Sequence, residues 1–124
     1  MCKVSLQFME LRGKELAQDI LKDLKERNKN LSFQPQLAVL LVAHLGASQV
    51  YVNKKIKACQ EHGFQSLKKS FSKDVSQKEV LNCILSLNED PHVDGILLQL
   101  PLPEHLDSNL LLDAIDPLKD VDGL

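Results

Sequence analysis

The sequence has only three cysteines, at positions 2, 59 and 83, and their number and spacing exclude two kinds of protein. An odd number of distant cysteines does not form a disulfide framework, and there is no Cys-x-x-Cys pair that would bind zinc. Cys59 and Cys83 fall within apolar helical patterns, so we expect both to be small core residues. Thiols of this kind are typical of a reducing compartment inside the cell.

A long apolar run and an excess of charge are also missing. No apolar stretch approaches the roughly 20 residues of a membrane span, and residues 1–6 lack the apolar core of a secretory signal. A formal net charge of −2 gives no indication of binding to nucleic acid or to a membrane surface. We therefore expect a cytoplasmic protein without nucleic-acid or membrane partners. A mitochondrial location is the alternative, although the arginines expected of a targeting segment are missing.

The sequence further lacks the residue patterns of nucleotide-phosphate and metal sites. Its five glycines are scattered, without the Gly-x-Gly-x-x-Gly loop that cradles a phosphate. Its four histidines have no metal-ligand spacing. Asp120 and Asp122 resemble the start of a calcium loop, but the third acidic position and the distal glutamate are missing. We therefore predict that this sequence contains no metal site and no cofactor-binding residues.

The apolar periodicity predicts alternating helices and strands. Residues 1–11 give a weak extended signal, Ser48 is a good helix N-cap, Gly63 a natural helix stop, and Ser76 with Glu79 a capping box. The predicted helices span residues 13–30, 48–62, 76–88 and 107–115, and the predicted strands residues 37–43, 67–71 and 93–98. This order predicts one α/β domain over residues 1–124, a small parallel sheet with helices on both faces in three layers.

The stretch from His92 to Pro103 is the one around which the chain is organised. Its continuous apolar run predicts a central strand that is covered on both faces. Gln99 ends the run, and Pro101 and Pro103 prevent the strand from continuing. In open α/β sheets, ligands bind where the strands end. Gln99 is therefore a candidate site residue, and the alternative is a strand-ending glutamine bonded to a turn.

Tyr51 and Lys55 lie four residues apart in a predicted helix and therefore share one face. They flank the apolar stripe of Val52, Ile56 and Cys59, at the edge of the buried surface. An aromatic ring beside an amine can hold a flat substrate and supply a group that transfers protons. The alternative is a surface lysine beside a partly buried tyrosine.

Three separated motifs, in this order, resemble one known family. They are GASQVYVNKK at residues 46–55, DGILLQLPLP at residues 94–103 and KDVDG at residues 119–123. The family is the bifunctional methylenetetrahydrofolate dehydrogenase/methenyltetrahydrofolate cyclohydrolase family of one-carbon metabolism. The similarity extends from residue 11 to the end of the chain, which makes it far more specific than any single motif.

The resemblance implies a role for each candidate residue. Tyr51 would stack on the folate, Lys55 would be the catalytic amine, and Gln99 would orient that amine and contact the substrate. Asp122 would accept hydrogen bonds from the donor-rich edge of the pterin ring, which suits an acceptor-only carboxylate. Pro101 would complete the substrate-binding surface. A neutral amide suits the role of Gln99, since it directs a lysine without favouring the ammonium form as a carboxylate does.

The resemblance also implies features outside these motifs. The family uses NADP or NAD, which would be bound mainly by a second, dinucleotide-binding domain that is absent from this chain. We therefore expect the folate-binding, catalytic-residue half of the enzyme, which forms a homodimer at full length. The sequence departs from the family at residues 43–46, Ala-His-Leu-Gly, where a Gly-Asp pair and a proline are usual. This change affects the rim of the expected pocket.

Two other functions compete with this interpretation. Tyr51 and Lys55 match the Tyr-x-x-x-Lys pair of short-chain dehydrogenases, but that class requires an upstream glycine-rich loop. A relative that binds folate, or acts as a partner subunit, without catalysing a reaction would preserve the same motifs. Turnover of methenyltetrahydrofolate distinguishes an enzyme from this third possibility.

Overall fold

The computed structural model describes the backbone of residues 2–43 and 46–122, and the side chains from residue 15 onward within those ranges. Helices and strands alternate along the chain, as predicted. They are α1 (Cys2–Lys29), β1 (Gln36–Val42), α2 (Gly46–Glu61), β2 (Gln65–Phe71), α3 (Gln77–Glu89), β3 (Gly95–Leu98) and α4 (Ser108–Ala114).

The strands form a three-stranded parallel sheet in the order β2-β1-β3. The prediction that the strand after His92 is central is therefore wrong, because β1 is the central strand. All four residues of β3 are nonetheless buried. Helices cover the faces of the sheet, and Asp120 pairs with Ile96 on the outer side of β3. The segment around Asp120 therefore covers the outer edge of β3. This is why the sequence of β3 resembles that of a central strand.

Two apolar clusters confirm the three-layer arrangement. On one face, side chains from α3 and α4, including Ile84 and Leu111, pack against alternate residues of β1 and β3. On the other face, Val52 and Ile56 of α2 pack against Val39, Leu41 and Leu97. Because both faces are covered, the strands have the continuous apolar sequences that are typical of parallel sheets.

Of the three predicted helix-end signals, at Ser48, Gly63 and Ser76, two are confirmed. Ser76 caps α3 by accepting a hydrogen bond from the backbone N–H of Glu79 at 3.2 Å. Gly63 ends α2 with a φ of 83°, a conformation that glycine adopts without a Cβ penalty. Ser48, however, lies inside α2 and is 7% exposed, so its prediction as the N-cap is wrong. The helix begins two residues earlier, at Gly46.

The weak extended signal for residues 1–11 is also wrong, because α1 begins at Cys2. The first eleven residues contain no glycine or proline, and Leu, Met, Glu and Gln among them favour a helix. The predicted apolar stripe of this helix is present but poorly buried. Leu16 is 60% exposed and Ile20 is 50% exposed. Amphipathic spacing therefore predicted the helix correctly, but it did not predict how far the apolar stripe is buried.

The two cysteines whose side chains are described are free and half-buried, so they lie at the margin of the core rather than within it. Burial raises the pKa of the Cys59 thiol. Burial also raises the pKa of Cys83, and the nearby charge of Lys69 opposes part of that rise. Among the described residues, no group of three or more His, Cys, Asp or Glu side chains could hold a metal ion, and no helix is long and apolar enough to cross a membrane.

Candidate functional site

Lys55 and Gln99 are the two candidate residues that the structure joins directly. Lys55 Nζ donates a hydrogen bond of 2.9 Å to Gln99 Oε1. Lys55 lies on α2, and Gln99 follows the last residue of β3, so one bond links a covering helix to the end of the sheet. Both side chains are half-buried.

Both the backbone amide and the side-chain amide of Gln99 form hydrogen bonds. Its backbone N–H donates to the carbonyl of Leu40 at 2.9 Å, which continues the ladder between β3 and β1. Its Nε2 donates to the carbonyl of Leu100 at 2.8 Å. Because the amide nitrogen is committed to that carbonyl, the amide oxygen faces Lys55. The alternative interpretation of Gln99, a glutamine bonded to a turn, corresponds to the hydrogen bond from Nε2 to Leu100. The same hydrogen bond directs the amide oxygen toward Lys55, so the two interpretations are compatible.

The Lys55–Gln99 pair combines a potential base with a neutral acceptor. Among the described residues, no carboxylate lies within ion-pair distance of Lys55. A carboxylate would favour the ammonium form, whereas an amide oxygen orients the amine without adding a negative charge. An amine that is half-buried and aimed by one strong contact can exchange protons with a bound molecule.

Tyr51 lies one helical turn before Lys55 and is 57% exposed. At this exposure, much of the ring surface is open to solvent. The predicted sharing of one helix face is consistent with these positions. The alternative of a partly buried tyrosine beside a surface lysine does not match the exposures, since the tyrosine is the more exposed of the two.

Pro101 lies two residues after Gln99, is exposed, and follows a cis peptide bond from Leu100. The loop beyond it is fixed to the start of α3. His105 Nε2 lies 2.7 Å from the carbonyl of Val75. Gln77 and Asp107 also exchange hydrogen bonds, of which the one from the Asp107 N–H to Gln77 Oε1 is 2.9 Å long. The chain after Gln99 therefore forms a fixed rim at the carboxyl end of β3.

Asp122 has no described contact with the Lys55–Gln99 pair. Its backbone N–H donates to Asp120 Oδ1 at 3.1 Å, and its side chain is exposed. No described hydrogen bond or ion pair joins its carboxylate to Lys55, Gln99 or Tyr51. The chain passes Ile96 parallel to β3 at Asp120, so it enters Asp122 in the direction of the strand end that carries Gln99.

Two residues near this segment were missed by the sequence analysis. Lys119 donates from Nζ to the carbonyls of Leu87 and Asp90 at the end of α3. Gly95 allows the segment to approach, because a Cβ there would lie 2.7 Å from Val121 Cγ1. The last turn of α3 has no basic residue of its own, which indicates that a cation from elsewhere in the chain could stabilise this helix end. Sequence alone does not show that Lys119 is that cation.

The N-termini of α3 and α4 do not fit the diphosphate of a dinucleotide. Phosphates bind where a helix N-terminus offers free N–H groups and a positive field. The N-termini of α3 and α4 are capped by Ser76 and Asp107, and α3 also has Glu79 in its first turn. Since both termini carry an acidic residue, a phosphate would meet a negative charge there. The sequence supplies no glycine-rich loop as an alternative.

Fold and site together define a class: an α/β domain of the catalytic type, with an oriented amine at the carboxyl edge of a parallel sheet. Residues 11–122 match the sequence profile of the tetrahydrofolate dehydrogenase/cyclohydrolase catalytic domain. The chain belongs to the tetrahydrofolate dehydrogenase/cyclohydrolase family.

Relatives and solved structures agree with this assignment. The chain is 50% identical over 113 residues to the bifunctional protein FolD of Hydrogenobaculum sp., covering 91% of this chain and 41% of that protein. The FolD structure from Campylobacter jejuni superposes with a TM-score of 0.86 at 46% identity, over 90% of this chain and 40% of that one. The Trypanosoma brucei enzyme, solved with NADP and an inhibitor, has a TM-score of 0.82 at 31% identity and covers 89% and 39%. The chain thus spans about 40% of the length of the relatives it matches.

Proposed function

We propose that this chain is the folate-binding, catalytic-residue half of a bifunctional enzyme of one-carbon metabolism. The enzyme oxidises 5,10-methylenetetrahydrofolate to methenyltetrahydrofolate with NADP or NAD, and hydrolyses the methenyl compound to 10-formyltetrahydrofolate. The observation that carries the proposal is the 2.9 Å hydrogen bond from Lys55 to Gln99. It is supported by the family membership and by the relatives from Campylobacter jejuni and Trypanosoma brucei, which are named methylenetetrahydrofolate dehydrogenase/cyclohydrolases.

The hydrolytic half-reaction needs a base, a water molecule and an oriented folate. Water attacks the carbon that bridges two folate nitrogens, and Lys55 accepts one proton from that water. One carbon–nitrogen bond then breaks as the new hydroxyl group loses its proton and becomes the formyl oxygen, and the leaving nitrogen takes up a proton. Gln99 keeps the amine aimed at the bridge. A positioned general base typically contributes about 10²- to 10⁴-fold to such a rate.

The remaining candidates hold the substrate. Tyr51 stacks on the flat part of the folate, Pro101 forms part of the rim, and the Asp122 carboxylate accepts hydrogen bonds from the pterin edge. NADP would supply the acceptor for a hydride from the one-carbon bridge. The sequence has no glycine-rich loop of the kind that cradles a phosphate, so we assign cofactor binding to no residue of this chain. Homodimer formation and a cytoplasmic location, with mitochondria as the alternative, stay predictions.

Two measurements test the proposal. Isothermal titration of the chain with tetrahydrofolate should show binding that Asp122→Ala weakens and that a control substitution at the exposed Lys57 preserves. The second measurement uses a chimaera in which this chain replaces the matching region of the FolD protein of Helicobacter pylori, which is 47% identical over 117 residues. The chimaera should consume methenyltetrahydrofolate above the uncatalysed rate, as followed by its absorbance. Binding without turnover in the chimaera would favour a non-catalytic folate-binding protein, and absence of binding would contradict the proposal.

A further inference from the structure

Lys119 connects the segment that carries Asp122 to the C-terminal end of α3. Its Nζ donates to the carbonyl of Leu87 at 3.0 Å and to that of Asp90 at 2.8 Å, and the side chain is half-buried. The last turn of α3 contains no basic residue of its own. Each of these two carbonyls already accepts one backbone N–H, from Asp90 and from Val93 respectively, so Lys119 occupies the second acceptor position of each. Its charge also opposes the negative end of the helix dipole.

A second residue of α3 fixes the chain just before Lys119. Asn88 Nδ2 donates to the carbonyl of Ala114 at 2.8 Å, and Asn88 Oδ1 accepts from the backbone N–H of Asp116 at 2.9 Å. The Lys119 N–H then donates to the carbonyl of Asp116 at 2.8 Å, which closes a turn. Lys119 therefore reaches α3 from a turn that α3 already holds.

On its other side, the same segment is bonded to the sheet. The carbonyl of Lys119 accepts from the N–H of Ile96 at 2.7 Å, and Asp120 pairs with Ile96. Gly95 leaves the space into which Val121 packs. The backbone of residues 119–121 is thus held between the end of α3 and the outer edge of β3, and Asp122 follows without another described anchor except its bond to Asp120.

We propose that Lys119 is a positioning residue that sets the place of Asp122 in the folate site. The inference rests on the proposed function, since Asp122 is assigned there to the pterin edge. β3 carries both Ile96 and, directly after its last residue, Gln99. By holding residues 119–121 against that strand, Lys119 fixes the carboxylate relative to the Lys55–Gln99 pair. Small displacements of a positioned group have large effects, because a charge-assisted hydrogen bond depends strongly on its geometry.

The first test measures tetrahydrofolate binding by isothermal titration of the full chain under reducing conditions. Lys119→Met should weaken binding about five- to tenfold, part of what a charge-assisted hydrogen bond contributes. Lys119→Arg, which retains the charge and several N–H donors, should restore affinity to within about twofold. Lys78→Met, an exposed lysine in the first turn of the same helix, is the matched control and should leave affinity unchanged. Circular dichroism confirms that each variant is folded at the titration temperature.

A double-mutant cycle separates positioning from a general structural role. If Lys119 acts through Asp122, Lys119→Met should cause no further loss of affinity in an Asp122→Ala background. Independent, multiplicative losses would overturn the proposal, because they would show that Lys119 affects binding by another route. Failure of Lys119→Arg to restore affinity would also count against it.

A ligand-free readout keeps this inference distinct from the proposed function. In Lys119→Met, amide hydrogen exchange should accelerate at Ile96, whose N–H is bonded to the Lys119 carbonyl, and the ¹⁵N heteronuclear NOE of Asp122 should fall. If the unmodified chain does not bind tetrahydrofolate, the proposed function fails while these two measurements still decide whether Lys119 positions Asp122. Unchanged exchange and an unchanged NOE would overturn the positioning role even if folate binds.

Discussion

Lys55 and Gln99 are separated by 44 residues in sequence, yet the lysine amine donates to the glutamine oxygen at 2.9 Å. The partners come from different layers of the fold, a helix that covers the sheet and the end of a strand. Gln99 Nε2 donates a hydrogen bond to the carbonyl of Leu100, and this bond orients the side-chain amide so that its oxygen faces the amine. The proposed chemistry depends on this relationship.

Lys55→Met should abolish cyclohydrolase turnover in the chimaera while changing folate affinity by less than about tenfold, since methionine retains the length of the side chain but has no group that takes a proton. Absorbance of the methenyl compound measures the rate, and isothermal titration measures the affinity. Lys57→Met is the matched control, because Lys57 is on the same helix with a side chain that is 77% exposed. A normal rate in Lys55→Met would remove this residue from the mechanism.

Gln99→Ala and Asp122→Ala should have opposite effects. Gln99→Ala should lower the rate more than the affinity, because Gln99 orients the amine. Asp122→Ala should weaken folate binding by about 1.5–3 kcal/mol, as expected for a charge-assisted hydrogen bond, with a smaller effect on the rate at saturating substrate. Steady-state kinetics and titration of both variants provide the comparison, and equal losses of affinity would contradict this division of roles.

The isolated chain should show no dehydrogenase activity, at most a trace of cyclohydrolase activity, and weak folate binding. Hydride transfer requires a nicotinamide held at about 3–3.5 Å from the one-carbon bridge, and the chain's own sequence has no glycine-rich turn to hold the diphosphate. The assay mixes the chain with methylenetetrahydrofolate and NADP and follows the methenyl absorbance. Product above the rate without enzyme would show that the cofactor binds where we do not expect it.

Ala43→Gly should stabilise the fold. Ala43 has a φ of 63°, in the left-handed region, where a Cβ costs about 1–2 kcal/mol and glycine does not incur that cost. The greater freedom of glycine in the unfolded chain offsets about 0.5–1 kcal/mol, so we expect a net gain of up to about 1 kcal/mol. Urea unfolding measures it. Ala58→Gly, within α2, is the control and should destabilise by about 1 kcal/mol. Equal destabilisation by both substitutions would show that Ala43 is not strained.

The half-buried thiol of Cys59 predicts how stability changes with alkaline pH. Burial raises the pKa of Cys59, so the unfolded thiol loses its proton at a lower pH than the folded one. Between those two values the folded state binds more protons, and the free energy of unfolding therefore falls as the pH rises above about 8.5. Urea unfolding between pH 7 and pH 9.5 should show a shallower fall for Cys59→Ala than for the unmodified chain. Parallel curves would contradict this assignment.

Features of this chain were predictable from sequence when they depend only on residues close together in the sequence. The capping box of Ser76 and the helix stop at Gly63 were found because their signals are contained within a few residues. The order of the strands was not, since nothing in the apolar run of β3 records that residues 119–120 cover its outer edge. The same reason separates the site residues: Tyr51 and Lys55 share a helix turn, whereas the contacts of Lys119 depend on tertiary packing.

The covered edge of β3 also determines how the sheet can associate with other chains. An unpaired strand edge is a template for intermolecular pairing, and parallel sheets with two open edges can aggregate in either direction. Pairing of Asp120 with Ile96 obstructs one side, so intermolecular pairing is directed to β2, the terminal strand at the other side. That strand has Lys68 and Lys69 at its centre, and the repulsion between such charges in stacked copies opposes its growth into an extended sheet.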